Sequence, residues 1–210
     1  MKTKSSILML TIVFGAVLAA AQVPPLFVAS QSCMACHNGL VTAEGENISI
    51  GSSWRASMMA NAARDPYWHA AVRRETLVHP TASAAIQNEC SACHMPMHRF
   101  QANAEGAHGE VLSHLPLAAH ASEEKDLVTD GVSCTLCHQI TREKLGEHES
   151  FTAGFVIDTT VAEGERTLYG PFDMDDGRAS LMRSSSRFTP KKGDHIQSSE
   201  LCATCHTLFT

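Results

Sequence analysis

Four short stretches of this sequence carry every cysteine it has. "SCMACHN" holds Cys33, Cys36 and His37, and "ECSACHM" holds Cys90, Cys93 and His94. "SCTLCHQ" holds Cys134, Cys137 and His138, and "LCATCHT" holds Cys202, Cys205 and His206. Eight cysteines in an exported chain would ordinarily be read as disulfides, and two C-x-x-C pairs could make a tetrahedral zinc site. Neither reading explains why histidine follows every second cysteine. Histidine is 12 of 210 residues, so four such placements by chance have odds of roughly 10⁻⁵. One chemistry uses all three residues at once. Two thiols add to the vinyl groups of a haem as thioethers, and the adjacent imidazole becomes the proximal ligand of the iron. The spacing predicts four covalently bound c-type haems. Cys33, Cys36, Cys90, Cys93, Cys134, Cys137, Cys202 and Cys205 are the attachment points, with His37, His94, His138 and His206 on iron. The motifs start at residues 33, 90, 134 and 202, with no fixed period, which excludes a solenoid of equal repeats.

The first residues bear on the compartment. Lys2 and Lys4 precede an apolar run from Ile7 to Ala21, and Ala19, Ala20 and Ala21 supply the small residues a signal peptidase reads. Residues 1–21 are expected to be a cleaved signal peptide and the mature chain to be exported, periplasmic in a bacterial setting. The run is shorter than the roughly 20 residues a membrane-spanning helix needs, so no stable span is expected after cleavage. Residues 1–21 hold two lysines and no acid, which leaves 14 basic against 22 acidic side chains, a net of −8. No basic stripe is present to neutralise phosphates, so nucleic acid is not an expected partner. A redox partner protein with a positive patch suits this charge better.

The elements that must position these motifs read as mainly α with extensive irregular structure. Ser52 or Ser53 is placed to cap a helix through "SSWRASMMANAA". Asp65 as N-cap and Pro66 at the first helical position start another through "RDPYWHAAVRRETL". Residues 81–89 lead helically into the second motif, and "GEVLSHLPL" offers a short helix that Pro116 should end. Residues 146–200 mix glycine, serine, acids and bases, and are expected to form a surface excursion with a small β-hairpin within 150–190. Aromatic residues are only 6% of the chain, few for a core of this size, so the haems themselves are expected to fill much of the interior. The whole of 22–210 reads as one multihaem domain.

With its haem motifs and their flanks, the chain resembles the exported multihaem c-type cytochromes related to the tetrahaem cytochrome c-554 (cytochrome c-552/c-554) family. There a C-x-x-C-H is followed by a Trp-x-x-Ser-x-His helix; the matching stretch here is Trp54-Arg-Ala-Ser57-Met58-Met59. Methionine stands where that family has its ligand histidine, so Met59, with Met58 beside it, becomes a candidate sixth ligand of the first haem. "HPTASAAIQNECSACHMPM", "DGVSCTLCHQI" and "HIQSSELCATCHTL" also look like elements of large multihaem cytochromes. In such proteins a histidine about ten residues ahead of a C-x-x-C-H commonly serves an iron. The resemblance thus implies His79 and His195 as distal ligands, with His114 next and His120, His69 and His98 still open. His108 and His148 read as surface residues. Relatives with these elements often continue beyond the fourth motif, so the domain is expected to be cut short at its C-terminus.

The functional expectation is a carrier that passes electrons through four haems with both axial positions filled. The alternative is a multihaem oxidoreductase with one open-site haem, acting on a small nitrogen or sulfur oxyanion. No motif here replaces the proximal histidine with lysine, and spare histidines are numerous, which favours the carrier.

Overall fold

The computed structural model describes residues 23–117 and 123–209. The expected signal peptide and His120 lie outside the described residues. Short helices joined by 3₁₀ turns and irregular chain make up most of the molecule: α1 (Ser30–Met34), α2 (Ile50–Arg55), α3 (Pro66–Val78), α4 (Ser83–His94), α5 (Pro96–Ala104), α6 (Glu123–Thr129), α7 (Cys134–Cys137), α8 (Asp176–Ser186) and α9 (Ser199–His206). Two four-residue strands, β1 (Thr167–Gly170) and β2 (Thr189–Lys192), pair in parallel. The mainly α expectation holds at this level. Among the described residues no helix is long and apolar enough to cross a membrane.

The start of α3 follows its local chemistry. The Asp65 carboxylate accepts the Tyr67 N–H at 2.9 Å, and Pro66 occupies the first turn, where no N–H is needed. Met95 separates α4 from α5 with φ −131° and ψ 50°. A residue ahead of proline is pushed out of the helical region in this way, here by Pro96.

Three local expectations need correction. The helix expected through residues 52–63 starts at Ile50 and stops at Arg55. Beyond it Asn61 Nδ2 donates to the carbonyls of Arg55 and Ser57, at 3.2 and 2.9 Å, and the Ala60 N–H donates to Ser57 Oγ. These polar side chains offer the backbone an alternative to helical bonds, so Met58 and Met59 sit in turns. The expected hairpin is replaced by a parallel pair, with Thr167 opposite Thr189 and Gly170 opposite Lys192. Parallel strands need a crossover, and α8 supplies it. Its N-cap Asp175 accepts the Arg178 N–H at 2.9 Å. The "GEVLSHLPL" segment contributes only a 3₁₀ turn at Leu112–His114.

Two apolar clusters hold these pieces together. In the larger, Leu26 and Phe27 meet Ala92 and Met97 from α4–α5, Leu136 and Ile140 from the third motif, and Phe155 and Ile157. The Phe100 ring bridges Phe27 edge-on at 5.7 Å and Phe155 at 5.8 Å. In the smaller, Trp68 and Val72 of α3 pack with Ala63, Met95, Val111 and Val128. Both clusters border cysteines of the motifs: Cys93 and Cys205 the first, Cys90 the second. The core is thus built against the reactive groups.

Candidate functional site

The C-x-x-C-H motifs sit at or across helix ends: the first straddles the end of α1, and the third spans α7 with His138 just past it. Cys90, Cys93 and His94 close α4, and Cys202, Cys205 and His206 close α9. In the first motif the N–H groups of Cys36 and His37 both donate to the Cys33 carbonyl, at 3.1 and 2.9 Å. In the third the His138 N–H donates to the Cys134 carbonyl at 3.1 Å. Residues three and four apart on a helical turn share a face. Two thiols and an imidazole therefore project the same way from each motif, the disposition that attachment to a single flat ring requires.

Tertiary contacts bring the motifs together out of chain order. The Val28 carbonyl accepts from Thr135 Oγ1 at 2.8 Å, and both oxygens of Asp130 accept from Ser30. These bonds lay α1 against α7, so that the Cys33 thiol donates to the Cys134 sulfur. That bond holds the Cys134 pKa down at about 7 and pushes that of Cys33 up. The fourth motif meets the second in the same manner: Cys93 bonds Cys205, raising its own pKa and lowering that of Cys205 to about 7. Cys137 is pushed up to about 12, first by burial and then by the sulfurs of Cys205 and Cys202. The Ala153 N–H donates to the Thr204 carbonyl at 2.6 Å, tying the segment after the third motif to α9. No disulfide joins any of the eight cysteines.

The four motif histidines divide into two kinds. His94 and His138 are half-buried, and each has Nδ1 at a backbone carbonyl: Ala62 at 3.0 Å for His94, Tyr169 for His138. A carbonyl only accepts, so Nδ1 carries the proton and Nε2 keeps its lone pair, the tautomer an iron ligand needs. The His94 ring also stacks on Trp68, with centroids 4.3 Å apart and planes 4° from parallel. His37 and His206 are exposed, and their side chains make no hydrogen bond among the described residues.

The distal candidates scatter. His195 is buried beside the third motif, its ring edge-on to Tyr169 at 4.8 Å and its Nε2–H donated to the Ile140 carbonyl at 2.8 Å. To meet an iron it must present Nδ1 or turn and give up that bond. Gly193 permits this packing, since a Cβ there would lie 2.7 Å from the His195 ring. His114 lies Nε2 to Nε2 with His98 at 3.0 Å, so one of the two rings donates to the other. His79 is exposed at the end of α3, 3.9 Å from Glu75. His69 donates Nε2–H to the Ala63 carbonyl at 2.7 Å. Met58 is 83% exposed and Met59 46%, while the Met59 carbonyl accepts the Val132 N–H next to the third motif. His108 is exposed and His148 stacks on Phe209 at 4.5 Å.

Three contributors escaped the sequence reading: Trp68, the carbonyls of Ala62 and Tyr169, and Asp130. Trp68 carried a signal, an aromatic three residues beyond a cap, but its partner lies 26 residues away. The carbonyls had none, because any residue owns one. No family model, curated protein or solved structure matches the chain. Among the described residues no three His, Cys, Asp or Glu side chains converge as they would around a bare ion. A haem asks for something different: paired thiols at one helical turn and an imidazole with Nε2 available. The second and third motifs meet both requirements, and the first and fourth meet the thiol spacing with unencumbered rings.

Proposed function

We propose that this chain is an exported multihaem c-type cytochrome that transfers electrons through four covalently bound haems. The observation that carries the reading is the complete use of cysteine in C-x-x-C-H, each motif on one helical turn with its histidine on the thiol face. The haems, when bound, supply the one-electron chemistry of iron. The chain's own residues do the rest. Cysteine thioethers fix each ring, and the four proximal histidines ligate. Ala62 and Tyr169 hold two of those imidazoles in the ligating tautomer. Trp68 packs over His94 and keeps water from one face of it. The contacts between the first and third motifs, and between the second and fourth, favour closely spaced redox centres, as a carrier needs. The partners are redox proteins that donate and accept electrons.

Mass spectrometry of the exported protein should find four haem additions, and a denatured gel band should stain for haem. Fewer than four would overturn the count. The reduced protein should leave carbon monoxide unbound; binding would move the reading to an open-site oxidoreductase. His79, His195 and His114 remain the proposed distal ligands, with Met59 or Met58 on the first haem. Thioether ligation there would raise that haem's potential and give a near-infrared charge-transfer band in the ferric state. Loss of the band in Met59→Ala or Met58→Ala identifies the ligand, and its absence from the parent protein excludes both.

A further inference from the structure

Asp130 stands apart from the other acids of this chain. It is 6% exposed, and both its oxygens are acceptors: Oδ2 takes the Ser30 N–H and Oδ1 the Ser30 hydroxyl, each at 2.7 Å. A group that accepts on both oxygens is a carboxylate. It forms no ion pair among the described residues. Arg55 and Arg64 line the same cleft of about 440 Å³, yet neither reaches Asp130 within ion-pair distance. Burying an anion without a cation is costly, and folded proteins ordinarily provide the partner.

The location of Asp130 points to where that partner is. Ser30 opens α1, which carries Cys33, and Asp130 lies four residues ahead of Cys134. The carboxylate therefore sits at the seam of the first and third motifs; the bond between the two thiols dominates their shifts, but the Asp130 charge acts on both, opposing ionisation of each. A haem with two neutral axial ligands carries one positive charge when ferric and none when ferrous. A buried anion beside it favours the ferric form and lowers its potential. We infer that Asp130 is a potential-setting residue shared by the first and third haems, holding both toward the oxidised state. The second and fourth motifs meet through Cys93 and Cys205, and Asp130 is not among the charges that act on the thiols of Cys90, Cys93 or Cys205. This inference rests on the haem reading above.

The test is a spectroelectrochemical titration of the purified, haem-loaded full chain, with haem number verified by mass in every variant. In Asp130→Asn, two of the four one-electron steps should move to higher potential and two should stay. Ser30→Ala keeps the charge while dropping one hydrogen bond, so all four steps should stay near the parent values. Gln31→Lys, at an exposed position on the same cleft, adds a cation near the seam and should raise the same two steps. It decides the matter if Asp130→Asn does not load four haems. A uniform shift of all four steps, no shift in either charge variant, or a shift reproduced by Ser30→Ala would overturn the inference. A parent chain without haem would instead overturn the reading beneath it, and mass alone would report that.

Discussion

His94 and His138 each have Nδ1 committed to a carbonyl from a distant part of the chain, while His37 and His206 have only their own helix to orient them. The four motifs are nearly the same in sequence, so the difference comes from what surrounds them. Ala92 and Leu136, within the second and third motifs, are 2% and 1% exposed in the larger core cluster. The corresponding stretch of the first motif, Met34 and Ala35, is only partly covered or exposed. The inner motifs therefore serve two purposes, filling the core and positioning an imidazole. The fourth motif fills the core through Thr204, 1% exposed, without fixing its imidazole, and the first motif does neither.

The largest effect should come from removing an inner attachment. Cys134→Ala with Cys137→Ala should lose one haem mass and cost more than about 3 kcal/mol, the range for losing a bound group that holds a fold together. Cys33→Ala with Cys36→Ala should lose one haem mass at a clearly smaller cost. Denaturant melts measure both, and equal losses would erase the distinction between inner and outer motifs.

Next comes the aromatic support. Trp68 is 7% exposed and stacked on His94, so Trp68→Ala should cost about 3–5 kcal/mol. It should also disturb the spectrum of the second haem. Phe209 stacks on His148, outside the motifs, but is 51% exposed, and Phe209→Ala should cost less than about 1 kcal/mol. A similar cost for the two would show that ring stacking outweighs burial here.

Asp65→Ala tests the scaffold alone. It removes the cap of α3, the helix that carries Trp68, and should cost about 1 kcal/mol without changing haem number. The smallest effect belongs to α8, the crossover helix, which has no buried residue. The Arg178 N–H bonded to Asp175 holds that carboxyl below its usual range. Its capping contribution is therefore present above the unfolded carboxylate value and lost as pH falls through the lowered folded one. Protection of the Arg178 amide, its exchange measured relative to the unstructured rate at the same pH, should fall on acidification in the parent chain. In Asp175→Asn that protection should be lower at neutral pH and nearly flat with pH.

Much of the local structure was legible. Asp65 and Pro66 announced α3, because a cap and a first-turn proline act on neighbouring residues. The helix through the second motif was legible from residues 81–89, which hold neither glycine nor proline. The parallel β1–β2 pair was not. Its strands are four residues long and separated by an 11-residue helix, and nothing within either strand says which way the other runs. The helix expected to carry Met58 and Met59 failed where Ser57 and Asn61 drew the backbone into turns. Their position against Val132, 73 residues from Met59, had no local sign.

The sequence by itself determined which side chains each of the four motifs presents together. Two thiols and an imidazole at positions one, four and five of a helical turn share a face wherever that turn sits, so spacing alone is enough. The tertiary structure decided how the motifs differ. Cys33 meets Cys134 and Cys93 meets Cys205 because α1 docks on α7 and α9 on the core beside α4. Asp130 is buried because Ser30, 100 residues away, closes over it. Contacts of that range depend on the packing of whole segments, and no periodicity in the residues between them records it.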